Sequence, residues 1–236
     1  MAFFLYKPLL KIMSMKKMSL LAVAAVMGTA VFAQNASPKL RTPIETKTRF
    51  GLRGAANLAD LRFKDLPSGS LVTEAKYKTS FVAGAFVNVP IGSQFRFQPE
   101  VDFSSQGGKL QGPSGSGATP YGEQDLHYLN VPLNFQWQSP SGFFIQTGPQ
   151  VGYLLAAKVK SASGNSNETE NKENFDKIDF AWTAGLGYLS RIGLGLDLRY
   201  NYGIANIVED NTSSFSGTVK NSVAQLGLVY HFGAYK

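Results

Sequence analysis

Apolar and polar side chains alternate with a period of two in eight segments of the chain, over about residues 48–59, 77–89, 94–105, 126–138, 142–155, 177–190, 192–205 and 221–232. Successive side chains of a β-strand point to opposite faces, so the pattern predicts eight strands, each with one apolar and one polar face. The third segment is the clearest. Phe95, Phe97, Val101 and Phe103 share a face with Pro99, and Arg96, Gln98, Glu100, Asp102 and Ser104 share the other. The seventh sets Leu194, Leu196, Leu198, Tyr200 and Tyr202 against Gly193, Gly195, Asp197, Arg199 and Asn201. The sixth sets Ile178, Phe180, Trp182, Ala184, Leu186 and Tyr188 against Asp179, Thr183, Gly185 and Gly187.

Which face points outward decides the fold class. The apolar faces are about ten residues or more long, enough to cross a thin outer membrane when tilted. The polar faces are rich in Gly, Asn, Gln and Thr and poor in Lys, as suits a crowded interior, whereas a water-facing wall carries many Lys and Glu. Connections alternate long (60–76, 106–125, 156–176, 206–220) and short (90–93, 139–141, Arg191), with turn residues Pro90-Ile91-Gly92-Ser93 and Ser139-Pro140-Ser141-Gly142. The expectation is an all-β fold: an eight-stranded antiparallel up-and-down transmembrane β-barrel with short periplasmic turns and long extracellular loops. Aromatic residues then fall at two levels, as girdles where a barrel meets lipid headgroups.

The two ends of the chain agree. The last segment closes with Gln225, Gly227, Tyr230 and Phe232 in the order polar-x-Gly-x-x-aromatic-x-aromatic. That order resembles the signal by which the outer-membrane assembly machinery recognises barrel proteins. Four residues, Gly233 to Lys236, follow the last aromatic, a departure from barrels that end on it. At the other end Lys16 and Lys17, an apolar run from Leu20 to Val31 and a cleavage site between Ala33 and Gln34 read as a secretory signal peptide over 1–33. Met15 is its natural start. Residues 34–47 form a periplasmic segment, 48–232 the barrel and 233–236 a tail. Losing 1–33 removes four lysines and no acids, lowering the net charge from +7 to +3. The basic balance therefore gives no reason to expect nucleic acid as a partner. With no cysteine, neither disulfides nor thiolate metal sites arise.

Several strand motifs resemble one family: Arg96-Phe97-Gln98-Pro99-Glu100-Val101, Tyr128-Leu129-Asn130-Val131-Pro132-Leu133, Thr147-Gly148-Pro149-Gln150-Val151-Gly152-Tyr153 and Leu196-Asp197-Leu198-Arg199-Tyr200-Asn201-Tyr202-Gly203. Together with Gly185-Leu186-Gly187-Tyr188 and the closing Leu226 to Phe232, they make the chain similar to the small outer-membrane barrels of Bacteroidetes that include PorT-like proteins. The resemblance implies the fold and covers about 48–232. PorT belongs to a protein-secretion apparatus, and no residue here carries that role across.

Chemistry is sparse. The inward faces carry Arg53, Lys78, Arg96, Glu100, Asp102, Asp179, Asp197 and Arg199. An eight-stranded barrel is just wide enough for side chains to fill, so Arg53, Arg96, Glu100, Asp102, Asp197 and Arg199 are expected to form an interior ion network. A proton or ion path is the functional alternative. His127 and Asp125 share the outward parity near the extracellular rim and are the one pair an acyl-transferring enzyme could use. His231 is expected to pack inside at the periplasmic end. Glu168, Glu170, Glu173 and Asp176 read as a solvated acidic loop rather than a cation site. No phosphate-binding loop or metal-spacing motif occurs, so no cofactor and no catalytic centre are expected.

Two function classes remain. One is a non-enzymatic outer-membrane barrel with a structural, surface-binding or envelope-assembly role through its loops. The other is a lipid-modifying enzyme, with a narrow pore as a weaker third. The expected partners are outer-membrane lipid and lipopolysaccharide, the barrel assembly machinery and an envelope or secretion-apparatus protein.

Overall fold

The computed structural model describes residues 47–64, 74–112, 120–161, 168–208 and 217–233. Residues 1–46, 65–73, 113–119, 162–167, 209–216 and 234–236 lie outside the described residues, and with them the expected signal segment and its expected cleavage site at Ala33 and Gln34. Among those described, the strands are β1 (Arg49–Lys64), β2 (Glu74–Lys76), β3 (Lys78–Pro90), β4 (Phe95–Gln111), β5 (Pro120–Gln138), β6 (Phe143–Ser161), β7 (Glu168–Glu170), β8 (Ile178–Leu189), β9 (Leu194–Gly203) and β10 (Thr218–His231). No helix among the described residues is long and apolar enough to cross a membrane.

Eight strands pair antiparallel in the order β1, β3, β4, β5, β6, β8, β9, β10, and β10 returns to β1 from Gly51↔His231 to Lys64↔Thr218. The sheet is therefore a closed barrel, which satisfies backbone groups between strands and leaves no edge to lipid. β2 extends β4, and β7 extends β6. Short turns close the end where β1 begins and β10 ends, the periplasmic end of such a barrel. Gly142 and Gly193 sit in these turns with φ of +99° and +85°, a conformation open mainly to glycine. Ser139 N–H donates to the Phe143 carbonyl (2.8 Å) across the first of them.

Alternation holds in the direction expected. Leu226 and Leu196 stand 58% and 56% exposed on the outer wall, while Arg53, Glu100, Asp197 and Arg199 are all 5% exposed or less. A soluble protein with that many bare Leu, Phe and Tyr would aggregate; in a bilayer they meet hydrocarbon. On the outer face Phe95 pairs with Trp137 and Phe143 with Tyr188 near the turns, and Trp182 with Tyr202 near the far end.

The strands run further than the sequence pattern suggests. β4 continues to Gln111, β5 begins at Pro120 and β6 continues to Ser161, taking up much of two segments read as loops. Their composition is polar and Gly-rich, but each finds a neighbour to pair with, and pairing decides. The wall is thus uneven. At about 3.3 Å per residue and about 45° tilt, the 10-residue β9 rises about 23 Å, close to the roughly 25 Å apolar band. The 19-residue β5 and β6 rise about 44 Å on the same reckoning and project beyond it.

Candidate functional site

The lumen holds the chemistry. Four of the six residues expected to form a network meet there, from three strands. Asp197 on β9 is the hub: its Oδ2 accepts from Arg53 Nε (2.9 Å) and Arg199 Nε (2.7 Å), and its Oδ1 from Arg53 Nη2 (3.0 Å). Arg199 Nη1 reaches across the barrel to Glu100 Oε2 on β4 (2.7 Å). The other oxygen, Glu100 Oε1, accepts from Gln98 Nε2 (2.9 Å) and Asn134 Nδ2 (2.8 Å). Each carboxylate thus faces positive charge and further donors, the condition under which charges persist away from water.

Backbone position explains why these side chains converge. Arg53 and Asp197 lie on strands separated by β10, whose Gly227 pairs with both Ala55 and Asp197. A Cβ at Gly227 would collide with Asp197 Oδ1, so its bare backbone makes room for the bidentate pair. Gly84 does the same beside Asp102.

The other two expected members are placed differently. Arg96 lies nearer the periplasmic end, donating to Asn88 Oδ1 and to the Lys47 carbonyl (3.0 Å). It belongs to an amide ladder in which Asn88 Nδ2 donates to Gln98 Oε1 (2.6 Å) and Gln136 Oε1 (3.0 Å), and Gln136 Nε2 to Gln146 Oε1 (3.1 Å). Asp102 is buried beside the network, but its Oδ1 accepts no hydrogen bond among the described residues.

Two further layers bracket this polar zone. At the periplasmic end Phe86, Phe144, Leu189 and Val229 cluster inside, and His231 packs edge-on against Phe86 with ring centres 4.8 Å apart. At the extracellular end Leu61, Leu126, Tyr128, Leu154, Ala157, Ile207 and Val219 form an apolar cluster, with Phe63, Phe175 and Val208 packed against it. Sequence reading missed this upper layer. Its residues follow the inward parity but are apolar, so alternation of chemistry stops there while alternation of direction continues. A bulge hides part of it: Tyr128 pairs with Leu154 and His127 with Ala156, leaving Leu155 as an extra residue. Leu154 and Ala157 therefore both turn inward. Ile207 comes from the segment after β9, tied down by its N–H to the Val219 carbonyl (2.9 Å) and by the Phe175↔Val208 bridge.

At the rim, His127 stacks on Phe103 with ring centres 5.8 Å apart. The shared outward exposure expected for Asp125 does not hold. Asp125 is buried and ion-paired with Lys78 and, at 3.1 Å, with Lys160, the surroundings of a structural carboxylate. No group of three or more His, Cys, Asp or Glu suited to a metal occurs among the described residues. In the closing strand Tyr230 and Phe232 face outward in edge-on contact (5.5 Å), whereas Gln225 and Gly227 face the lumen.

Comparison with known proteins fits this geometry. Residues 32–209 match the outer membrane protein beta-barrel domain. The chain belongs to that family. It is an integral protein of the outer membrane, and the alternation of the wall follows from that location. In fold it is similar to Neisserial surface protein A, at TM-score 0.50 and 15% identity over 78% of this chain and 97% of that one. Also similar are Ail of Yersinia pestis (TM-score 0.44, 15% identity, 79% and 99% covered) and OprG from Pseudomonas aeruginosa (TM-score 0.48, 13% identity, 80% and 98% covered). No curated protein matches the barrel in sequence.

Proposed function

We propose that this protein is a non-enzymatic barrel of the PorT-like type, with a structural, surface-binding or envelope-assembly role carried by its extracellular arms and loops. The observation that carries the reading is the contrast between a filled lumen and a projecting wall. Ion pairs, amides and two apolar layers occupy the interior, while β4, β5 and β6 rise well beyond the apolar band and offer paired, rigid backbone outside the membrane. Segments held on a rigid scaffold are where recognition concentrates. The partner on this reading is an envelope or secretion-apparatus protein met at the surface, and the closing strand with Tyr230 and Phe232 is what the assembly machinery reads.

The enzyme alternative depends on His127 and on a carboxylate able to orient it. Asp125 instead carries the charge of Lys78 and Lys160. His127→Ala tests this directly. Lipid A profiles of wild-type, deletion and His127→Ala strains are expected to be identical; an acyl chain gained or lost together with His127 would make the protein an enzyme.

A further inference from the structure

At the periplasmic end Arg49 and Arg96 are buried inside. At the extracellular end Arg62, Lys64 and Lys220 leave the wall on its outer face. That face of β1 reads Phe50, Leu52, Gly54, Ala56, Leu58, then Asp60, Arg62 and Lys64. Apolar contact with lipid thus ends at Leu58, and charge begins one step above. On β10 the outward Leu228, Leu226 and Ala224 give way to Lys220, which pairs directly with Arg62 in register. On β9 the outer face ends at Tyr202, opposite Ser222.

Three neighbouring strands therefore place three cations and a tyrosine at the level where hydrocarbon meets headgroups. Arg62 is fixed in place by its neighbours. Its guanidinium lies over the Tyr202 ring, 4.0 Å from the centre, and its Nη2 donates to the Gly203 carbonyl (2.7 Å). Arg62, Lys64 and Lys220 all act electrostatically on the Tyr202 hydroxyl. Asp60 is the one acid on this stretch of β1, leaving the patch with a net charge of +2.

We propose that Arg62, Lys64, Lys220 and Tyr202 form a wall-mounted site for the phosphate of an outer-leaflet glycolipid, whose acyl chains lie against Leu58, Leu226 and Leu198 below. A guanidinium fixed by stacking, with two lysines beside it, suits a phosphate, and the apolar wall directly beneath suits the chains of the same molecule. The site holds whether or not the loops bind a protein partner, because it faces lipid rather than the aqueous surface.

Native mass spectrometry of the full-length protein in mild detergent tests it, with bisphosphorylated lipid A, its dephosphorylated form and inorganic phosphate as probes. Wild type is expected to retain the bisphosphorylated lipid and not the dephosphorylated one, and excess inorganic phosphate should not displace it. At about fivefold per charge, Arg62→Gln/Lys64→Gln/Lys220→Gln should lower retention on the order of a hundredfold. Lys64→Gln/Lys220→Gln, which leaves the Arg62–Tyr202 stack in place, should lower it about twenty-fivefold. Lys64→Arg/Lys220→Arg, which keeps both the charge and the Arg62–Tyr202 stack, should retain it. Equal retention by the glutamine variants, equal binding of the dephosphorylated lipid, or displacement by inorganic phosphate alone would overturn the site.

Discussion

The middle and the top of the lumen are filled by opposite chemistries. Around Asp197 the filling is charge met by charge, specified by direction: Arg53 closes on Asp197, and Arg199 has a geometry in which its donors reach both Asp197 and Glu100. Around Leu154 and Ile207 it is apolar packing, specified by shape. A narrow barrel closes by using both. Charges in the middle tie β1, β4 and β9 across the bore, which strand pairing alone cannot do. Apolar groups above them cover the polar zone on the side that opens to the cell surface, and they recruit the segments at 171–176 and 204–208 to do so.

Breaking the hub should cost most. Asp197→Ala strips both Arg53 and Arg199 of the carboxylate they share and is expected to destabilise the barrel on the order of 3–5 kcal/mol, read as a lower unfolding midpoint in denaturant. Glu100→Ala should cost less, because Arg199 keeps Asp197. If the two variants melt alike, Asp197 is not the centre of the network. Ile207→Ala sharpens the other side. It removes a fully buried side chain, but from a segment between strands that can relax, so about 2 kcal/mol is expected, the low end for such a truncation. A loss as large as that of Asp197→Ala would mean the apolar cover, not the ion network, holds the barrel together.

The same two regions show how far the sequence could be read. In β4, Arg96, Gln98, Glu100 and Asp102 alternate with Phe95, Phe97, Val101 and Phe103, and a one-residue shift would put every charge into lipid. Direction, closure and the membrane location were legible for that reason. Partnership was not. Alternation says that Arg96 and Asp102 face inward, but the stagger between strands decides that Arg96 meets Asn88 while Arg53 and Arg199 meet Asp197. The upper layer was hidden for a different cause. An inward Leu61 or Leu126 has the same chemistry as an outward Leu58 or Leu129, so composition cannot tell cover from wall. The extra Leu155 then shifts the parity of β6 locally. Strand ends in polar, Gly-rich stretches were hidden because their pairing lies with neighbours distant in sequence.

Both chemistries together fill the bore. Conductance of the purified wild-type protein in planar bilayers tests this most directly. With Arg53, Glu100, Asp197 and Arg199 linked across the middle and the apolar cluster above them, no large stable current is expected. Steady porin-like conductance would contradict it.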